Sequence, residues 1–182
     1  ALTSAIREEG VTYISWALGK ALAKDLQKSV CVVELNWWSP NKMLQFGAST
    51  GLAGVLNGES TLNEAIIPMN DPNLSLLPAG QMPMIDRTVM ARSQPLAEVI
   101  DQVSEQFDYV LLDVPAVRMT SDAIPLATIG DACSLVVRQG VTNVADVRMA
   151  LDDIAHLSIL GVILNQVSLS TPDYISRLIP QA

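Results

Sequence analysis

The chain has 182 residues, of which 49% are hydrophobic and 16% charged, with a formal net charge of −8. This composition excludes a disordered chain, and the length allows one domain with a substantial core. The acidic balance argues against a nucleic-acid backbone binder, which needs a basic face, and against an anionic membrane surface. The longest apolar runs, residues 30–33 and 159–164, have the length of strands and fall far short of the ~20 residues of a membrane span. Cys31 and Cys133 lie far apart inside apolar runs and read as buried free thiols of a reducing compartment. His156 is the single histidine and has no Cys/His cluster around it, so no metal centre of that kind is expected.

In chain order, "ALTS" (1–4) reads as the C-terminal end of a strand whose beginning is absent, so the native chain is expected to extend upstream. Residues 12–27 space Ile14, Leu18, Leu22 and Leu26 four apart, as one face of a helix. "VCVVEL" (30–35) is a strand. Residues 36–93 are less regular. They hold "GLAGVLNGE", "LNEAI" and "PAGQMPM" and predict short helices and loops with one strand at 74–78. Residues 94–106 form a helix with Leu96, Val99, Ile100 and Val103 on one face. Strands follow at 109–113, 132–137 and 159–164, with a helix at 143–156 carrying Val144, Val147, Leu151 and Ile154. Tyr109 is expected in the core.

Each strand is nearly continuous in hydrophobicity, the pattern of a strand covered on both faces. Strands that alternate with helices imply an α/β fold: a doubly wound, mostly parallel sheet with helices on both faces. No internal repeat or low-complexity segment interrupts it, and residues 1–182 read as a single domain.

Ligands of such sheets bind beyond the carboxyl ends of the strands. The segments there are "SAIREEGVT" (4–12), "ELNWWSPN" (34–41), "LPAGQMP" (77–83), "DVPAVRMTSDA" (113–123), "RQGVT" (138–142) and "NQV" (165–167). In this order, together with "GLAGVLNGESTLNEAI" (51–66) and "LGVILNQV" (160–167), the series resembles the cytoplasmic domain of bacterial tyrosine kinases that govern capsule and exopolysaccharide export. Those kinases belong to the wider MinD/ParA class of P-loop ATPases. The resemblance covers nearly the whole chain and implies a P-loop NTPase-like fold.

The departures fall where the chemistry would be. The family's phosphate loop reads roughly S-x-x-P-G-E-G-K-T. Here Glu9, Gly10 and Thr12 match, while Arg7, Glu8 and Val11 do not. The lysine pairs with the β- and γ-phosphates, a role valine lacks. Glu8 puts a side chain and a carboxylate where backbone would approach an anion, and Arg7 is a candidate substitute for the lost charge. The Asp-x-Asp pair that the resemblance implies after the second strand is replaced by Glu34 and Asn36. Trp37 and Trp38 follow, either as packing or as an exposed partner anchor.

Asp113 keeps the position that would hold Mg²⁺, with Thr12. Asn165 matches a position that resembles an adenine-contacting asparagine. If nucleotide binds, Glu9, Gly10, Thr12 and Asn165 are expected around it. The resemblance implies a tyrosine-rich tail as phosphate acceptor, and Tyr174 is the only tyrosine in the last stretch of this sequence. There is also no basic amphipathic membrane helix.

With three catalytic parts altered, the expectation is a catalytically degenerate kinase-like protein of exopolysaccharide biosynthesis and export, with a regulatory or scaffolding role and no bound cofactor. ATP and Mg²⁺ are the cofactors that the family would imply. The expected partners are a polysaccharide co-polymerase, an export component or a kinase paralogue, or a further copy of the chain. Neither nucleic acid nor direct membrane insertion is expected. The expected location is the cytoplasm, at the inner face of the membrane through a partner or an upstream segment. The alternatives are an active ATP-dependent tyrosine autokinase of the same pathway and a MinD/ParA-like positioning or pilus-assembly adaptor.

Overall fold

A computed structural model describes residues 1–38 and 50–168. The elements in order are β1 (Leu2–Ser4), α1 (Val11–Asp25), β2 (Val30–Glu34), α2 (Gly51–Leu56), α3 (Leu62–Ala65), β3 (Ile67–Pro68), β4 (Leu74–Leu77), α4 (Met84–Met90), α5 (Gln94–Gln106), β5 (Tyr109–Asp113), α6 (Ala123–Thr128), β6 (Cys133–Arg138), α7 (Val144–Asp153) and β7 (Ile159–Asn165). They build a seven-stranded sheet in the order β3-β4-β2-β5-β1-β6-β7. All pairs are parallel except β3–β4. The short antiparallel β3 falls inside the stretch where only one strand is expected. It holds just Ile67 and Pro68, too few residues to show a period.

The strands alternate their side chains between two cores, as the pleat requires. On one face Val30, Val32, Leu74, Leu76, Leu111 and Val136 meet Val11 and Ala23 of α1. On the other, Cys31, Val33, Leu77, Leu112, Leu135 and Val137 meet α5, α6 and α7 through Leu96, Leu126 and Ile154. Both cysteines are free and buried, and burial pushes the Cys31 thiol up to about 12.

Local signals start several helices. Ser93 accepts the Leu96 N–H at 3.2 Å at the start of α5, and Asn143 accepts the Asp146 N–H at 2.8 Å at the start of α7. Thr61 and Glu64 form a capping box on α3.

Four details differ from the sequence reading. The deeply buried row of α1 is Val11, Ser15, Gly19 and Ala23, not the leucine row, and Leu26 is exposed. Small residues let the helix sit close on the sheet: a Cβ on Gly19 would meet Val32 at 3.1 Å and Leu74 at 3.2 Å. Val144, the first residue of α7, is exposed, while Ala150 within the helix and Ile154 just after it are buried. β7 is an edge strand with one open face: Leu160, Val162 and Leu164 are exposed. Tyr109 is 43% exposed, because it opens β5 at the end of the sheet opposite the site.

Candidate functional site

β1 is where the strand order turns: β2, β4 and β5 lie to one side of it, and β6 and β7 to the other. The loop leaving β1 therefore opens at the switch point, where open α/β sheets take ligands. Backbone bonds zip this loop to the one after β5. Val117 donates to the Ser4 carbonyl at 2.8 Å, and Arg118 donates to the Ala5 carbonyl at 3.2 Å.

Within the loop, Glu8 has φ +65° and Gly10 φ +90°. Among the described residues, the N–H groups of Arg7, Glu8, Gly10, Val11 and Thr12 make no hydrogen bond. Free N–H groups in a loop with left-handed residues, running into a helix start, form an anion-binding concavity. The shape of a phosphate loop is thus retained where its wording has changed. Arg7 and Glu8 are exposed at its crown.

Val11 is 9% exposed and packs in the α1 core beside Leu2 and Val136. The slot in which the resemblance places a lysine is therefore part of the apolar core and offers no cation.

The acids sit side by side. Glu34 and Asp113 are register partners on β2 and β5 and so share one face. Thr12 donates to Asp113 Oδ2 at 2.6 Å, and the Ala79 N–H donates to Glu34 Oε2 at 3.3 Å. The other oxygen of each carboxylate, Glu34 Oε1 and Asp113 Oδ1, is buried and has no hydrogen-bond partner. Burial is the main cause that pushes Asp113 up to about 7; the Thr12 bond opposes the shift and the neighbouring Glu34 adds to it. Burial also raises Glu34, against the Ala79 N–H. Two orphaned carboxylate oxygens beside a threonine hydroxyl are hard donors that suit Mg²⁺. The metal half of a nucleotide site fits these residues. On the side of the phosphate loop, Val11 stands where the resemblance expects a lysine, and Glu8 adds a carboxylate.

Asn165 donates from Nδ2 to the Glu9 carbonyl at 2.8 Å and accepts the Gln166 N–H on Oδ1 at 2.8 Å. Its amide therefore clamps the loop in the region where the resemblance expects adenine. A Cβ on Gly10 would collide with that amide, which is why glycine stands there. Asn36 follows β2 and is half-buried.

Trp37 is 2% exposed, and its indole N–H donates to the Ala79 carbonyl at 2.8 Å. It is a core residue and not an exposed anchor, because the "LPAG" turn closes over it. Trp38 is half-buried against the same core. Tyr174 lies outside the described residues. Sequence reasoning missed the brace formed by the Glu9 side chain and the role of Ala79, since backbone atoms that receive side chains leave no mark on residue identity.

The chain is 28% identical over 178 residues to the tyrosine-protein kinase CpsD of Streptococcus agalactiae, covering 96% of this chain and 76% of that protein. It is 26% identical over 171 residues to the tyrosine-protein kinase ptk of Acinetobacter johnsonii, where it covers 92% of itself but spans only 23% of that protein. The crystal structure of the VpsO kinase domain superposes with a TM-score of 0.83 at 25% identity, covering 92% of this chain and 83% of that one. The septum site-determining protein MinD of Pyrococcus horikoshii, complexed with Mg-ADP, superposes with a TM-score of 0.73 at 25% identity, covering 97% and 74%. The fold is thus the α/β fold of P-loop ATPases, and the relatives are bacterial tyrosine kinases. A family model described as cellulose biosynthesis protein BcsQ matches residues 3–169, and the chain belongs to that family.

Proposed function

We propose that residues 1–182 form one P-loop-like domain that works in exopolysaccharide biosynthesis as a binding and regulatory partner, without transferring phosphoryl groups. Its place is the cytoplasmic side of an assembly that exports a polysaccharide, with cellulose the polymer suggested by the family description. The partner is a polysaccharide co-polymerase, an export component or an active kinase related to the chain. The observation that carries this reading is the burial of Val11 in the apolar core at the lysine slot. Loss of one such electrostatic donor costs ~3–4 kcal/mol of transition-state stabilisation, or ~10²–10³ in rate. The change of the second acid pair to Glu34 and Asn36 adds to that loss.

The test is ATP turnover of the purified chain with Mg²⁺, beside an intact CpsD-type relative. Turnover at least a hundredfold lower supports the reading, and comparable turnover ends it.

One observation favours the alternative of an active autokinase: the orphaned oxygens of Glu34 and Asp113 beside Thr12, which suit Mg²⁺. In that reading Arg7, exposed at the loop crown, supplies the missing charge. Calorimetry with Mg-ATP separates the two. Tight Mg²⁺-dependent binding that Arg7→Ala abolishes would favour the kinase, and no heat at millimolar ATP would count against it.

A further inference from the structure

Glu9 is 1% exposed, and its carboxylate is used on both oxygens. Oε2 accepts the Ile6 N–H at 2.8 Å, within the loop after β1. Oε1 accepts the Arg138 N–H at 3.3 Å at the end of β6, and the Thr142 hydroxyl, just before α7, donates to the same oxygen. The Glu9 carbonyl accepts from Asn165 at the end of β7. The ends of β6 and β7 therefore meet the loop after β1 on one residue, at sequence separations of 129 and 156.

We propose that Glu9 is a positioning residue that locks the loop after β1 to the loop after β6, so that the two open and close as one unit. Buried carboxylates are costly unless every lone pair is met, and this one draws three donors from two loops. Either loop can leave only by stranding the charge shared with the other. The lock also accounts for how the loop keeps its concave shape with a glutamate, and not a glycine, at position 8. The segment from Arg138 to Thr142 leads directly into α7, whose first residue Val144 is exposed. A change of the first loop is thereby passed to an accessible helix start. The inference does not depend on whether nucleotide binds.

The test is amide hydrogen exchange on the full chain, read at Ile6 and at Arg138. In the wild type the two amides are expected to open with the same free energy and the same denaturant dependence. Glu9→Ala should speed both on the order of 10- to 100-fold, the worth of hydrogen bonds to a buried charge, with amides of α5 and β4 unchanged. Glutamine accepts on one oxygen only, so Glu9→Gln should release one loop more than the other. Thr142→Val removes a donor from the second loop alone, yet should speed exchange at Ile6 in the first. The lock is wrong if Thr142→Val leaves Ile6 unchanged, or if Glu9→Ala speeds exchange uniformly across the sheet. Should the variants fail to fold, wild-type openings of Ile6 and Arg138 with unequal free energies would overturn it equally.

Discussion

At Glu8 the backbone holds φ +65°, a region that costs a residue with a Cβ about 1–2 kcal/mol. The side chain is exposed, so replacing it loses little packing. Glu8→Gly should therefore stabilise the fold by about 0.5–1 kcal/mol, seen as a higher urea midpoint with an unchanged slope. A lower midpoint would mean that the carboxylate makes a contact worth more than the strain.

Asp113 is set up differently. Its folded pKa is raised from 3.8 to about 7, chiefly by burial. The stability this contributes is therefore fully present below about pH 4 and is lost as pH rises through about 7. A shift of that size corresponds to about 4 kcal/mol. The melting temperature of the wild type should fall between about pH 4 and 7, and less steeply in Asp113→Asn, which keeps Glu34 as a buried carboxylate raised by burial. Because the two orphaned carboxylate oxygens suit a divalent cation, Mg²⁺ at pH 8 should recover part of the loss. Scanning calorimetry reads all three, and parallel wild-type and variant curves would contradict the assignment.

At the scale of elements, α1 lies close on the sheet because Gly19 has no side chain to hold it off. Gly19→Leu should destabilise by about 3 kcal/mol through overpacking, measured by denaturant unfolding. α4 is fastened by other means: none of its residues is fully buried, Met90 packs on the core, and Asp122 ties Thr88 in the helix and Arg92 just beyond it. That carboxylate accepts from Thr88 at 2.8 Å and from Arg92 at 3.1 Å. Asp122→Ala should cost about 1–3 kcal/mol and speed amide exchange in α4 before any other helix. Uniform exchange would place the anchor elsewhere.

α5 and α1 show how far a helix face can be read from its residues. The face of α5 was legible because Leu96, Val99, Ile100 and Val103 are both periodic and large. The face of α1 was misread because its deepest row is small, and spacing alone gives a glycine row no weight. Tyr109 left its expected place in the core, and Trp37 resolved to packing, for a related reason. Depth at a strand start or inside a turn depends on what closes over the residue, which local pattern does not encode.

For the whole molecule, the parallel sheet was legible because each central strand is buried on both faces and so reads as an unbroken apolar run. β7 broke that rule, since among the described residues nothing covers the face that carries Leu160, Val162 and Leu164. The residues of the loop, Asp113 and Asn165 were legible as a series of strand ends. The Glu9 lock was not, because its partners are mostly backbone groups far along the chain.

The proposed loss of phosphoryl transfer follows from Val11, buried where the resemblance expects the lysine. The most direct measurement is steady-state ATP hydrolysis by the purified chain with Mg²⁺, beside the CpsD kinase of Streptococcus agalactiae under the same conditions. Turnover at least a hundredfold below that kinase is expected, and turnover within a few-fold of it would contradict a role without phosphoryl transfer.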